Sequence, residues 1–375
     1  MKSLANYLVA SSLLFSFIGN TLACTAIVVT DLKGNAYHAR TMEFSFQLPS
    51  SLTYFPAGTR IESATPSGNQ GLTFNTKYAI LGMTIPAVTT AKQALVIEGA
   101  NDQGLSVSAN EFNDSSAPPV GTNPSIILSG ADFGAWILGN FKTVAEVKSA
   151  MQDDKVEFWL PKIPMVDNMV LPLHYAITDK AGNGLVVEFQ NGKKQVYDNP
   201  VNVLTNGPEF SWHLTNLKNY TQTNVNQNTG QLGKLKLATE DSGIALSTLP
   251  SAQTSAGRFV KAAFYANYVR KARTPDEAIL TLGHLINNFD RPYDLTIDGP
   301  GGVGDGPRTN AVSSEATDWT VMNDLSRNLL YVRTIEQLNW TVIDMAKLKD
   351  VTKIKTVSTY AVGRAGAEAF NLFYE

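Results

Sequence analysis

The segment Cys24-Thr25-Ala26-Ile27-Val28-Val29-Thr30 is small and β-branched, with no polar alternation to mark a solvent face. Such a run is a strand covered on both sides, so the fold must supply material above and below the sheet that contains it. The run begins at the sole cysteine of the sequence. Directly before it lie a basic start, Met1-Lys2, an apolar stretch at 7–19 interrupted only by serines, and Thr21-Leu22-Ala23. The stretch is too short to span a bilayer and is followed by small residues suited to cleavage, so residues 1–23 read as a secretory signal peptide. Removal of that peptide after Ala23 makes Cys24 the first residue of an exported chain, periplasmic or secreted.

A cysteine in that place has three readings. It is a lipoprotein acylation site, although that needs a larger aliphatic residue where Thr21 stands; it is a small hydrophobe that begins a strand; or it is an N-terminal nucleophile. In the last case the freed α-amine, with a reference pKa of about 7.7–8.0, serves as base for the thiol of the same residue. This third reading accounts for the cysteine abutting the cleavage site, because any residue left in front turns the amine into an amide. A lone cysteine also cannot form an internal disulfide, and a thiol kept in an oxidising compartment needs a reason. A lipid-anchored protein that binds amphiphiles without turnover is the alternative from another class.

The formal net charge is −3, with acidic and basic residues interspersed, which argues against a nucleic-acid partner. No long apolar segment follows residue 23, so no stable membrane insertion is expected of the mature chain. Residues 24–375 show neither an internal repeat nor a linker and are expected to form a single domain.

Along the chain, 24–30 and 36–42 read as a hairpin turning about Gly34. A turn centred between Lys33 and Gly34 pairs residues whose numbers sum to about 67, setting Glu43 beside Cys24 with Arg40 further along the strand. Positions 40 and 43 then face opposite sides, so a bulge or the strand's end must bring both to the sulfur. Residues 49–70 read as a loop with a short strand at 52–55; strands follow at 78–83, 94–98 and 105–110. Helical spacing covers 123–138 and 143–151, the second with Thr143 as N-cap and Glu146 three residues on. A meander of hairpins runs through 174–179, 185–190 and 194–197. The strand at 202–205 stops at Asn206-Gly207-Pro208, and 220–233 is a polar, exposed excursion. Helices are expected at 259–272 and 274–287, the latter with Pro275 in its first turn. A glycine-dense mobile loop at 298–308 precedes strands at 317–323, 329–334 and 340–344. The sum is α+β, two packed sheets between helical layers.

A nucleophilic cysteine needs a base, a group to hold that base and donors for an oxyanion. His38, His174, His213 and His284 sit in no recognisable context for a cysteine–histidine pair and lack metal-ligand spacing. The sequence offers Cys24-Thr25-Ala26, Gly34-Asn35-Ala36-Tyr37 and Arg40-Thr41-Met42-Glu43-Phe44 at hairpin distance. Further on stand Lys77 to Met83, Gly99-Ala100-Asn101-Asp102-Gln103-Gly104-Leu105, Asn110-Glu111-Phe112, Leu204 to His213, Ala256-Gly257-Arg258-Phe259 and Asp318-Trp319-Thr320-Val321. In this order and spacing the motifs resemble the choloylglycine hydrolase family of N-terminal nucleophile hydrolases, which includes bile salt hydrolases and penicillin V acylases.

The resemblance implies a four-layer αββα sandwich and attack by Cys24 on a linear amide through a thioester. Arg40 favours the thiolate; Glu43, where bile salt hydrolases carry Asp, holds the α-amine. Asn110 offers its backbone N–H and Asn206 its side-chain amide to the oxyanion, and Arg258 adds a second fixed positive charge. It implies no cofactor or metal and, since members are often tetramers, a homo-oligomer. The substrate is a small amide with an apolar acyl group: penicillin V-like, an N-acyl homoserine lactone, or a bile salt conjugate. Phe44, Phe46 and Phe112 are candidates for the acyl pocket.

Overall fold

The structure, a computed structural model, describes residues 23–44, 47–86, 92–164, 168–226, 230–239, 242–293, 295, 299–300, 312–313, 315–365 and 370–374. The residues before Ala23, expected to belong to a signal peptide, Phe46 and nearly all of the glycine-dense 298–308 segment, expected to be a mobile loop, therefore lie outside the described residues.

Two large antiparallel sheets face each other. The six-stranded sheet runs, edge to edge, Val203–Leu204, Ala23–Thr30, Ala36–Phe44, Ala316–Asp324, Leu329–Thr334 and Thr341–Asp344. The eight-stranded sheet runs Lys193–Asp198, Gly184–Gln190, Leu173–Asp179, Leu105–Glu111, Leu95–Asn101, Ile80–Ile85, Ser51–Phe55 and Lys355–Ser358. Helices Ser255–Tyr268 and Pro275–Ile286 cover the outer face of the first sheet, while Phe133–Asn140 and Val144–Gln152 cover the second. The expected αββα sandwich is thus found, and Ala23–Thr30 lies in the six-stranded sheet with helices on one side and the other sheet on the other. Residues of this strand are buried from Ala23 to Val29, as an unbroken β-branched run requires.

The hairpin forms, but its register differs by one from expectation. Cys24 lies opposite Met42, Ala26 opposite Arg40, and Glu43 opposite Ala23, because the turn centres on Lys33. Cys24, Arg40 and Met42 therefore share the face toward the second sheet. The required irregularity is present: Met42 pairs with Trp319 and Glu43 with Thr317, leaving Asp318 as the extra residue of a bulge.

Local signals explain the helix boundaries. Thr143 caps Val144–Gln152 by accepting from Glu146 N at 3.2 Å, and Thr274 caps Pro275–Ile286 with Pro275 at its first position. The helix expected at 123–138 starts only at Phe133. Before it, Ile127–Ser129 pairs in parallel with Glu157–Trp159, and Asn123 draws its side chain onto Ser125 N, so the backbone leaves the helical path. The helix expected at 259–272 begins earlier, at Ser255, because Thr254 provides the cap, accepting from Gly257 N. Several elements were not anticipated: the hairpin Arg60–Ala64 with Gln70–Asn75, the helix Phe210–Asn216, and the edge strand Lys355–Ser358. The excursion at 220–233 is largely exposed and carries part of a small hairpin with Leu232 and Leu235 outward.

Candidate active site

Cys24 is fully buried at the start of its strand, with Sγ in the space between the sheets. Arg40 Nη2 lies 3.1 Å from Sγ, and Met42 Sδ 3.7 Å from it. Arg40 is fixed from every side. Its Nε donates to Asn110 Oδ1 at 3.1 Å, Nη1 to Ile97 O at 3.2 Å and Nη2 to Ala109 O at 2.6 Å, with the guanidinium 5.2 Å from the Trp319 ring centre. Burial raises the Cys24 thiol above its ordinary value; Arg40 and Arg258 oppose that rise, and Glu43 adds to it.

The nitrogen side of Cys24 is organised by Asn206. Its Oδ1 accepts from Cys24 N at 2.8 Å and from Arg258 Nη2 at 2.8 Å, while Nδ2 donates to Glu111 O at 3.2 Å. Two donors on one side and a carbonyl on the other fix which way the amide points. Glu111 O takes one Nδ2 hydrogen, and the amide carries a second. Arg258 also donates through Nε to Gln253 O at 3.0 Å and through Nη1 to Thr25 Oγ1 at 2.8 Å and to Cys24 O. Gly257 stands beside it because a Cβ there would lie 2.5 Å from Ala252 O, so this turn admits only glycine.

Asn110 contributes its side chain to the scaffold: Oδ1 accepts from Arg40, and Nδ2 donates to Leu204 O at 3.1 Å and Thr205 O at 2.8 Å. Glu43 lies across from Ala23, beside the peptide that precedes Cys24. Its Oε1 accepts from Thr317 Oγ1 at 3.3 Å, and Oε2 is buried with no hydrogen-bond partner. Burial, partly offset by Arg258 and a hydrogen bond with Thr41, pushes its carboxyl up to about 7. All six residues singled out from the sequence therefore gather around the Cys24 backbone and sulfur.

Two cavities meet here. One, of about 60 Å³, is lined by Cys24, Met42, Phe44, Leu48, Ile97 and Leu173 among other apolar side chains. The other, of about 590 Å³, opens on the nitrogen side among Ala23, Asn206, Arg258, Arg291 and Glu315. Glu111 borders both. Phe44 meets expectation, whereas Phe112 stacks on His174 with ring centres 5.0 Å apart and lines neither cavity. Sequence reasoning also passed over Met42, Glu111 and Ser255. The histidines pair with no sulfur: His38 reaches Ser108 and Glu98 in the inter-sheet layer, His174 meets Glu188, His213 meets Asn206 O, and His284 is exposed.

The αββα sandwich with a cysteine opening a central strand, its nitrogen held by an asparagine and its sulfur by an arginine, defines an N-terminal nucleophile hydrolase. The model of the choloylglycine hydrolase family, linear amide C–N hydrolases, matches residues 24–357, starting at Cys24, and the chain belongs to that family. A bile salt hydrolase/transferase of Clostridium perfringens is 29% identical over 339 residues, covering 89% of this chain and 96% of that one. A cysteine-to-alanine mutant of the conjugated bile acid hydrolase from Clostridium perfringens superposes with a TM-score of 0.74 at 27% identity, over 89% and 96% of the two chains. Penicillin V acylase from Agrobacterium tumefaciens gives 0.71 at 25% identity, over 92% and 94%. The protein is thus a hydrolase of non-peptide C–N bonds in linear amides.

Proposed function

We propose that this chain is an exported acylase that begins, when mature, at Cys24 and removes a slender apolar acyl group from a small amine. This reading places it nearer to penicillin V and N-acyl homoserine lactone acylases than to bile salt hydrolases. The observation that carries it is the shape of the site: an apolar space of only about 60 Å³ on the sulfur side against one of about 590 Å³ on the nitrogen side, bordered by Asn206, Arg258, Arg291 and Glu315. Ligand pockets of drug size run to about 300–1,000 Å³, so the narrow apolar space favours an aliphatic or single-ring acyl end over a steroid.

In this mechanism the α-amine takes the thiol proton and the thiolate attacks the amide carbonyl. The second Nδ2 hydrogen of Asn206 stabilises the oxyanion, whereas the backbone N–H of Asn110, expected to share that task, faces His174 in the strand ladder. The tetrahedral intermediate collapses to a Cys24 thioester as the α-ammonium protonates the leaving amine. Water, deprotonated by the same amine, then attacks the thioester, releasing the carboxylic acid and restoring the thiol. Arg40 supports the developing thiolate, and Glu43, with its unpartnered Oε2, receives the α-ammonium. The periplasm and a homo-oligomeric, tetrameric assembly belong to this reading.

The test is intact mass plus a substrate panel on protein purified after export. A mass beginning at unmodified Cys24, with turnover of phenoxyacetyl or N-acyl homoserine lactone amides above glycocholate and taurocholate, is expected. A diacylglyceryl mass on Cys24 overturns the enzyme reading in favour of a lipoprotein, and preference for bile salts overturns the acyl assignment.

A further inference from the structure

His174, Glu188 and His213 are each fully buried, and the reaction just described uses none of them directly. They nevertheless form a closed circuit of hydrogen bonds around one end of Asn206. His213 Nε2 lies 2.9 Å from Asn206 O, and its ring stacks on Phe259 at 4.5 Å with an interplanar angle of 15°. His213 belongs to the helix Phe210–Asn216, whose first N–H, on Phe210, donates to Glu188 Oε1 at 2.9 Å. The same Oε1 lies 2.9 Å from His174 Nδ1, and His174 Nε2 lies 3.0 Å from Thr205 O, one residue before Asn206. Phe112 stacks on His174 at an interplanar angle of 7°. Each imidazole thus has its plane set by a phenyl ring and its tip on a carbonyl of the Thr205-Asn206 pair.

The proton inventory of this circuit is fixed by its acceptors. A carbonyl oxygen only accepts, so Nε2 of both histidines carries hydrogen. His213 Nδ1 has no partner, as expected of a neutral ring, and burial depresses its basicity to about 4. His174 differs, because its Nδ1 faces a carboxyl oxygen that must also accept the Phe210 N–H. The pair therefore shares one further proton, either on Nδ1 against a carboxylate or on the carboxyl against bare Nδ1. Glu188 Oε2 has no partner, so all the hydrogen bonding of this carboxyl runs through Oε1.

We propose that Glu188, His174 and His213 form a buried clamp that sets the position of Asn206, and through it of the Cys24 nitrogen, making all three positioning residues of the site. The inference rests on the reading of Cys24 as the nucleophile. Asn206 touches the Cys24 nitrogen, Arg258 and the Glu111 backbone together. Ser255 completes its support from the helix side, with Oγ 3.0 Å from Asn206 N and 2.9 Å from Asn206 O. The clamp adds a second donor on the same carbonyl and holds the preceding Thr205 O, where Asn206 would otherwise follow the end of a two-residue edge strand, Val203–Leu204.

Glu188→Gln tests it, because a carboxamide cannot replace the carboxyl. If its oxygen serves both Phe210 N–H and His174 Nδ1–H, an imidazolium is left buried without a counter-ion, or Nε2 loses its hydrogen against Thr205 O. If its NH2 group meets Nδ1, the Phe210 N–H is orphaned. Displacement of Asn206 by a fraction of an ångström is expected to lower kcat per titrated Cys24 by about 10²-fold with KM within about 2-fold. The same displacement is expected to shift the pH midpoint of Cys24 alkylation by iodoacetamide. His213→Phe, which keeps a ring against Phe259 and removes one of the two donors to Asn206 O, leaving Ser255 Oγ, is expected to move both readouts in the same direction by a smaller factor, and it stands in if Glu188→Gln does not fold. Unchanged kcat per titrated thiol and an unmoved alkylation profile, in either folded variant, overturn the clamp. Because alkylation needs no substrate, a parent enzyme inactive on the whole amide panel defeats the proposed function while the clamp is still judged by its alkylation profile.

Discussion

Glu43 lies across from Ala23, the residue that the proposed cut before Cys24 removes. Beside the intact Ala23–Cys24 peptide its carboxyl is buried, lacks a partner on Oε2 and is pushed up to about 7. The sign of the linkage follows: a folded-state value above the unfolded one means that ionisation costs stability, so this group's contribution falls as pH rises from about 4.5 to about 7. In protein that retains Ala23, Glu43→Gln is therefore expected to raise the urea midpoint at pH 8 and leave it nearly unchanged at pH 4. In protein that begins at Cys24, a cation faces the carboxylate, and the same substitution is expected to lower kcat while Glu43→Asp is tolerated. Urea midpoints of both forms, with kcat of the mature one, check this; a Glu43→Gln enzyme at the parent rate returns Glu43 to a structural role. The six residues singled out from the sequence each sit in a short motif, and the structure brings them together. Their division of labour was not legible there. That the Asn110 side chain is consumed by Arg40 and the Leu204-Thr205 carbonyls depends on which strands face one another, and a single strand's sequence does not state that.

At the scale of elements, one helix end carries much of the site. Ser255 and Arg258 lie in the first turn of Ser255–Tyr268, and the Thr254 side chain caps that turn. Thr274 caps Pro275–Ile286 in the same way, away from the cysteine. Losing either cap costs about 1 kcal/mol of stability. Thr254→Ala and Thr274→Ala are thus expected to lower the melting temperature to a similar degree, but only Thr254→Ala is expected to lower kcat. Equal rates in the two variants would show that the first turn is held by Asn206 and Cys24 rather than holding them. Caps and the proline start made Pro275–Ile286 and Val144–Gln152 readable from sequence within a residue or two. The helix Phe210–Asn216 escaped because it is only 7 residues long and follows a break, Asn206-Gly207-Pro208, that ends one pattern without announcing another. The hairpin register slipped by one for a related reason: nothing in Asp31-Leu32-Lys33-Gly34-Asn35 distinguishes a turn centred on Lys33 from one centred half a residue later.

For the molecule as a whole, the inter-sheet layer is unusually rich in titratable groups. Glu98 joins His38 and Ser108 there, accepts from Asn323 Nδ2 at 3.2 Å, and is driven by burial up to about 8; His38 is driven down to about 3. Burial likewise lifts Asp132 to about 6 and Asp318 to about 7. The raised acids, with Glu43, make ionisation costly as pH climbs, whereas His38 and His213 make protonation costly as pH falls below about 6.5. Above about pH 7, where the histidines of the unfolded chain have also largely lost their protons, the acids dominate, so stability is expected to decline from there to pH 8, and urea midpoints at pH 7 and pH 8 measure it. A midpoint that rises instead would mean that the buried acids gain partners absent from this arrangement.

The burial of the first strand also bears on the order of events in the life of the chain. Ala23 and Cys24 are 5% and 0% exposed, and both are paired across to the neighbouring strand. A peptidase must draw several residues on each side of its target into an extended cleft, and a peptide bond already laid into a sheet cannot be drawn out without unravelling it. If the proposed cut between Ala23 and Cys24 is made by another enzyme, it is expected to act on the nascent, unfolded polypeptide, before this strand is laid into the sheet.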